Sequence, residues 1–590
     1  MCGICGELNF NGSYASAENV KSMMDVLASR GPDAMGMFLQ GNVSLGHRRL
    51  KIIDLSEKAQ QPMVDSGLGL SIVYNGAIYN YKELRSQLEE TGYIFFSNGD
   101  TEVILKAYHA WGKDCLRRFN GMFAFAIYHR DSGRVFLARD RLGIKPLYYI
   151  KNSEKFRFAS SLPALLASGN VDTDIDPVAL IYFMTFHSVV PPPRTILKGI
   201  RKLPPASTMT IENDGSCREE KYWDLKFTPN DDEVKYSFAD WKQQLLLKLE
   251  GAIRRRLTAD VPVGVLLSGG VDSSLVVGLL SRAGQNNLNT FSIGFESAGG
   301  EEGNEFQYSD IIADHFGTGH HKIEVGSSRV LPSLERCVSA MSEPMVSHDC
   351  IGFYLLSEEV SRHVKVVQSG QGADEIFAGY SWYPPLMESS DLVTDYAREF
   401  FDRNYDEYVK AIHPRFSELD YSSSFIHQNF SKPGADLPID KALRLDTTVM
   451  LIDDPVKRID NMTMAFGLEA RVPFLDHDLV ELAARIPAEL KVSNGGKHIL
   501  KEVAREIIPS AVIDRPKGYF PVPVLKYFRG EYLDFVYEIM NAPVVKKREI
   551  FNRDYVNSVL KDPDNHITPL RGSKLWQMAL LEYWLSVHNI

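Results

Sequence analysis

The sequence predicts two fold classes in one chain: an α+β layered unit over about residues 1–225, and an α/β parallel-sheet unit with a helical C-terminal part over 226–590. Three observations carry this. A length of 590 residues exceeds what one hydrophobic core holds, at roughly 100 to 200 residues per domain. The first part has short apolar runs bounded by Gly, Asp or Asn and few helical stretches, whereas strand and helix alternate after about residue 238. Between them lies Thr228-Pro229-Asn230-Asp231-Asp232-Glu233, with the composition of an exposed linker.

In chain order, strands are expected at Leu70 to Tyr74, Met122 to Tyr128, Val135 to Ala138 and Leu147 to Ile150, with helices at Tyr81 to Glu90 and Glu102 to Trp111. Either a simple α+β arrangement or a layered αββα one fits this mixture. Beyond the linker, an amphipathic helix over Phe238 to Leu257 precedes the strand Gly264 to Leu267, a glycine loop, the helix Leu275 to Ser281 and the strand Asn289 to Gly294. A further strand is expected at Val364 to Gln368, and residues 380 to 590 read as mostly helical.

Composition excludes several classes of function. The chain carries 65 Lys+Arg against 76 Asp+Glu, a net charge of -11, which argues against nucleic-acid and anionic-membrane partners. Six cysteines are too sparse for a secreted disulfide scaffold, and the start Met1-Cys2-Gly3 has no basic n-region or apolar run, so a soluble, cytoplasmic protein is expected. The most apolar stretch, Val261 to Leu280, is broken by Ser268, Gly269, Gly270 and Asp272, and falls short of the about 20 apolar residues that span a bilayer.

Two segments carry chemistry. If Met1 is removed, the Cys2 thiol lies beside a free α-amino group whose ordinary pKa is about 7.7 to 8.0, a local base for an N-terminal nucleophile. The competing reading is a redox or zinc Cys2-x-x-Cys5 pair, which lacks the partner Cys or His that finger spacing requires. In the second unit, the apolar run Val263 to Leu267 enters Ser268-Gly269-Gly270-Val271-Asp272-Ser273-Ser274. Glycine N–H groups, hydroxyls and the positive end of the following helix suit a polyphosphate. The loop lacks the Lys of a Walker motif, so γ-phosphate transfer is not expected of it. Asp272 suits a Mg²⁺ bridging phosphate oxygens. The neighbours His320 and His321 face opposite ways on a strand and suggest no metal site.

The segments Met1 to Gly6, Arg30-Gly31-Pro32-Asp33, Gly46 to Leu50, Tyr74-Asn75-Gly76, Asn98-Gly99-Asp100 and Ala138-Arg139-Asp140-Arg141 together resemble the class II glutamine amidotransferase domain, an N-terminal-nucleophile αββα fold. With Gln368 to Glu375, Gly467 to Asp476, Lys497 to Lys501 and Arg515 to Phe520, the chain resembles the glutamine-dependent asparagine synthetase family over nearly its whole length. The resemblance implies that Cys2 attacks glutamine, that Asn75 and Gly76 hold the oxyanion, and that Arg49 takes the substrate carboxylate and Asp100 its α-amino group, with Ile53 and Ala77 also in the glutamine pocket. It further implies ATP with Mg²⁺, split between the α and β phosphates. Ser268, Gly269, Gly270, Asp272, Ser273, Ser274, Ser369 and Gly370 would hold the nucleotide, Leu266 and Ile293 its adenine, Asp272 and Asp374 the metal, and Lys517 would neutralise charge at the phosphates.

The sequence departs from the asparagine synthetase pattern twice: Ala77 and Gln371 stand where that pattern has Glu. Gln371 adjoins the acceptor carboxylate in the family, so the change bears on the acceptor. Phe186 to Thr195 and His109 to Gly112 resemble the N-acetylglutaminylglutamine amidotransferase branch, which amidates a capped dipeptide. The expected partners are therefore glutamine and a small carboxylate acceptor, the dipeptide first and aspartate as the alternative; a homodimer is compatible with the sequence. A catalytically silent nucleotide-binding regulator would be expected to have lost Cys2, Asp272 or Lys517, and all three are present. A nucleotide-dependent RNA-modifying enzyme would need a basic surface and no Cys2 domain.

Overall fold

The structure is a computed structural model that describes residues 1–296, 303–515 and 529–590. The first unit is built from β1 (Gly3–Asn9), β2 (Ala34–Gln40), β3 (Val43–Arg49), β4 (Met63–Asp65), β5 (Leu70–Ile78), β6 (Gly121–His129), β7 (Val135–Arg139), β8 (Tyr148–Lys151), β9 (Lys155–Ala159), β10 (Arg201–Lys202), β11 (Ser207–Ile211) and β12 (Cys217–Lys221). They form two six-stranded sheets, ordered β10-β8-β9-β1-β3-β2 and β12-β11-β7-β6-β5-β4.

Ile4, Leu45 and Phe158 of one sheet pack on Val73, Ala124 and Leu137 of the other, which stacks the two face to face. The helices Ala17–Val26 and Leu162–Ala167 cover the outer face of the first sheet through Val20, Met23, Met24 and Leu165. Tyr81–Glu90 and Asp100–Trp111 cover the second through Leu84, Leu88, Val103 and Ile104. The architecture is therefore αββα, the layered form of the two the sequence allows. With both faces covered, β1 is buried along its whole length, so no period of two marks it in the sequence.

The second unit contains β13 (Val263–Leu266), β14 (Asn289–Phe295), β15 (Gly319–Val325), β16 (Val366–Gln368) and β17 (Glu469–Arg471), ordered β15-β14-β13-β16-β17 and parallel throughout. The chain builds from β13 toward β14 and β15, then returns to the other side of β13 as β16. Ligands of open parallel sheets bind outside the carboxyl ends of the strands where the order reverses. That point lies between the loops that leave β13 and β16.

The region after residue 380 is mostly helical, as expected, and the three residues Glu469, Ala470 and Arg471 form the sheet edge. One expectation needs correction. The expected linker is docked at its end rather than exposed throughout: Glu233 is buried and pairs with Arg485 at 2.8 Å, and the Phe227 N–H donates to the Gly434 carbonyl at 2.9 Å. Apolar residues on either side of the run, Phe227 and Trp241, join the second unit's core, which pulls the connection onto it. Among the described residues no helix is long and apolar enough to cross a membrane.

Candidate active sites

Cys2 stands immediately before β1 and is 8% exposed. Its N–H donates to Asn75 Oδ1 at 3.0 Å, and its carbonyl accepts from Arg30 Nε at 3.3 Å. Asn75 and Gly76 come from β5 of the other sheet, so sheet stacking alone brings nucleophile and amide together. Asn75 Nδ2 is buried and has no hydrogen-bond partner among the described residues, so it could donate to an incoming oxyanion. A Cβ on Gly76 would come within 2.1 Å of the Met122 carbonyl oxygen, which requires glycine there. Burial raises the Cys2 thiol pKa, while the nearby ammonium and Arg49 work against that rise.

A cavity of about 30 Å³ adjoins the thiol, lined by Cys2, Arg49, Ile53, Gly76, Ala77 and Asp100 among others, so the predicted glutamine residues converge. The Arg49 guanidinium is held by the carbonyls of Ser56, at 2.9 Å, and Asp54. One carboxylate oxygen of Asp100 accepts from both Tyr74 Oη, at 2.8 Å, and the Ile78 N–H, at 3.0 Å, and burial pushes its pKa up to about 6. Glu469 and Arg471 of β17 close the same cavity, and no sequence signal had placed them there. The Arg139-Asp140-Arg141 motif is scaffolding: the Asp140 carboxylate gathers the N–H groups of Phe123, Leu142, Ile144 and Lys145 at 2.9–3.1 Å.

The second site is a cavity of about 520 Å³ at the strand-order reversal. Leu266, Phe291 and Ile293 form an apolar end; Ser268, Asp272 and Ser273 come from the loop after β13, and Ser369, Gly370, Gln371 and Asp374 from the loop after β16. Gly269 has φ +71, and a Cβ there would lie 2.7 Å from the Ser309 N–H nitrogen. Gly270 N-caps the helix Val271–Arg282, whose first turn faces the space expected for phosphate. Gly269, Gly270 and Ser274 do not themselves line the cavity; Ser274 is fully buried beneath it. Lys517 lies outside the described residues.

Lys497, between the two acids, was not singled out as a site residue from the sequence. Its Nζ sits 2.7 Å from Asp272 and 2.8 Å from Asp374, and although burial disfavours its charge, those carboxylates raise its pKa. Two carboxylates that already converge on one cation, completed by phosphate oxygens, fit Mg²⁺. No described cluster of three or more His, Cys, Asp or Glu could hold a metal by itself, so the nucleotide would have to complete the donor set. His320 binds Thr290 at 2.9 Å and His321 stacks on Phe291, so the two rings have different partners.

The far wall is one face of the helix Asp349–Val360, presenting Asp349, Phe353 and Leu356 at helical spacing. Glu375 and Tyr380, joined at 2.7 Å, stand opposite. Burial and the charge of Asp374 push the Glu375 pKa up to about 7, and burial raises that of Asp349 as well.

A family model described as a glutamine amidotransferase domain matches residues 1–223, and one described as asparagine synthase matches 244–586. The chain belongs to the asparagine synthase family. The glutamine-hydrolyzing asparagine synthetase 1 of Bacillus subtilis is 31% identical over 100% of this chain and 97% of its own length, and asparagine synthetase 3 of the same organism 30% identical over 88% and 87%. A Gibberella zeae protein named an amidase is 26% identical over 89% of each chain. Membership of the asparagine synthase family makes the protein an enzyme of the ligase-type amidotransferases, with an N-terminal-nucleophile glutaminase fold ahead of its parallel-sheet unit.

Proposed function

We propose that this asparagine synthase family member hydrolyses glutamine at Cys2, adenylates an acceptor carboxylate with ATP, and joins the released ammonia to it, the acceptor being N-acetylglutaminylglutamine. Once Met1 is removed, the α-amine of Cys2 takes the thiol proton and the thiolate attacks the side-chain amide of glutamine. Asn75 Nδ2 and the Gly76 N–H receive the oxyanion, Arg49 holds the α-carboxylate, ammonia departs and water cleaves the thioester. In the other cavity the serine and glycine loops seat the triphosphate, and Asp272 and Asp374 would hold Mg²⁺, whose charge would offset that of the phosphates. The acceptor carboxylate attacks the α-phosphorus, pyrophosphate leaves, and ammonia displaces AMP.

One observation supports the dipeptide. The cations lining the cavity among the described residues are Lys497, Lys501 and Arg515, all on the segment that faces the phosphate loop. The Asp349–Phe353–Leu356 face offers none. Arg458 behind it is engaged by Asp454 at 3.1 Å and lies 3.6 Å from Asp349. Aspartate would bring a second carboxylate that needs a cation, and an unpaired buried charge is costly. The capped dipeptide has one carboxylate, consumed by the reaction, and otherwise neutral amides, which Gln371 and Tyr380 can meet as donors and acceptors and the carboxyl groups of Asp349 and Glu375 as acceptors. Aspartate is favoured by a different observation, the full-length match to relatives named asparagine synthetases.

Competition decides between them. With ATP and glutamine fixed, the ratio of kcat/KM values should favour N-acetylglutaminylglutamine over aspartate; a higher value for aspartate would make Gln371 a tolerated change in an asparagine synthetase.

A further inference from the structure

Strand β17 takes part in both sites. The Glu469 and Arg471 side chains line the Cys2 cavity, while the Arg471 carbonyl accepts the Ser369 N–H at 2.9 Å in the nucleotide loop. Glu469 is 1% exposed. One of its oxygens takes Arg471 Nε at 2.6 Å and the other takes the α-ammonium of Met1 at 3.0 Å. The glutamine pocket thus already contains an α-ammonium–carboxylate contact.

Charge matching gives that contact meaning. Glutamine arrives with an α-carboxylate, for which Arg49 is available, and an α-ammonium. Ala77 offers that ammonium nothing. Asp100 accepts from Tyr74 and Ile78 through one of its oxygens, and burial raises its pKa to about 6, so its charge is lost as pH falls. Glu469 is different: burial works against its charge and the Met1 ammonium favours it, and once Met1 is gone Arg471, 2.6 Å away, and Lys145 still act to lower its pKa. With Met1 in place the Cys2 N–H is turned to Asn75 Oδ1 at 3.0 Å and not to Glu469.

We propose that Glu469, reaching across from the second unit, is the carboxylate that receives the α-ammonium of glutamine and replaces the acid absent at Ala77. The assignment rests on reading the Cys2 pocket as the glutamine site. The Met1 ammonium marks where the substrate's amine sits, and removal of Met1 vacates that seat. Glutamine then touches the same strand that holds the Ser369 loop, so β17 is where the two sites meet.

The test compares glutamine with 4-carbamoylbutanoate, which is glutamine without its α-amino group, as substrates of the full-length protein lacking Met1. Glu469→Gln should raise KM for glutamine by about tenfold or more, with a smaller change in kcat, and the preference for glutamine over the analogue should fall by the same factor. Adding Ala77→Glu to Glu469→Gln should restore both. Each glutaminase rate is expressed relative to the same variant's ammonia-dependent rate, which reports folding. If Glu469→Gln does not fold, Glu469→Asp keeps a charge beside Arg471 but withdraws it by one methylene, and should show the same loss of preference at about threefold. An unchanged preference for glutamine in the Glu469 variants, or no rescue by Ala77→Glu, would overturn the proposal. Glutamine hydrolysis that survives Cys2→Ala would overturn the pocket reading instead.

Discussion

The two cavities differ in how their charges are settled before any substrate arrives. Around Cys2 the space is about 30 Å³ and the polar groups have fixed partners: Arg49 on two carbonyls, Asp100 on Tyr74 and Ile78, Glu469 on Arg471. A space of that size holds about one water molecule, so glutamine needs the room that removal of Met1, which lines it, would leave. The nucleotide cavity is about 520 Å³, and its central charges neutralise one another through Lys497 between Asp272 and Asp374. On the proposed function that cluster would have to rearrange for metal and triphosphate to enter. The first site gains specificity from preorganisation; the second keeps its charge compensated until the ligands supply their own.

If the division is real, variants should separate by cavity. The largest effect is expected from Cys2→Ala, which should abolish glutamine-dependent product while ammonia-dependent product persists; equal loss of both would merge the two sites into one. Asp272→Asn and Asp374→Asn should each lower AMP formation at least tenfold, about 1.4 kcal/mol of barrier, and leave glutaminase turnover largely intact. Wild-type AMP formation by both would remove these acids from the metal site. The smallest effect concerns Asp100. As pH falls through about 6 its carboxylate takes a proton and loses its attraction for an ammonium, so KM for glutamine should rise a few-fold on the acid side, and Asp100→Asn should flatten that limb. A limb unchanged in the variant would assign it to another group.

The sequence revealed those elements whose burial is carried by apolar side chains. The runs at Leu70, Met122 and Val135 became β5, β6 and β7, and the helix expected from Phe238 spans Phe238–Arg255. The loops after β13 and β16 were legible because glycines, hydroxyls and acids stand directly after apolar strands. The strand β17 was not legible. Its Glu469 and Arg471 are buried and pair with each other at 2.6 Å, so a core strand reads as a charged turn. Lys497 was hidden for a related reason: it sits at φ +55 after two glycines, and its partners lie 225 and 123 residues away in the chain. Only the fold brings those charges together. The cavity wall formed by Asp349, Phe353 and Leu356, which carries no cation among the described residues, is likewise a property of the packed fold.

The two-site reaction proposed above has nitrogen leave glutamine at one cavity and enter an ATP-activated carboxylate at the other. Its most direct measurement supplies amide-¹⁵N glutamine, ATP and N-acetylglutaminylglutamine to the protein lacking Met1 and follows AMP, glutamate and labelled amide by mass spectrometry. The account predicts one AMP for each ¹⁵N-amidated dipeptide, with glutamate formed in at least equal amount. Glutamate without AMP or labelled amide for this acceptor or for aspartate, or ADP in place of AMP, would contradict it.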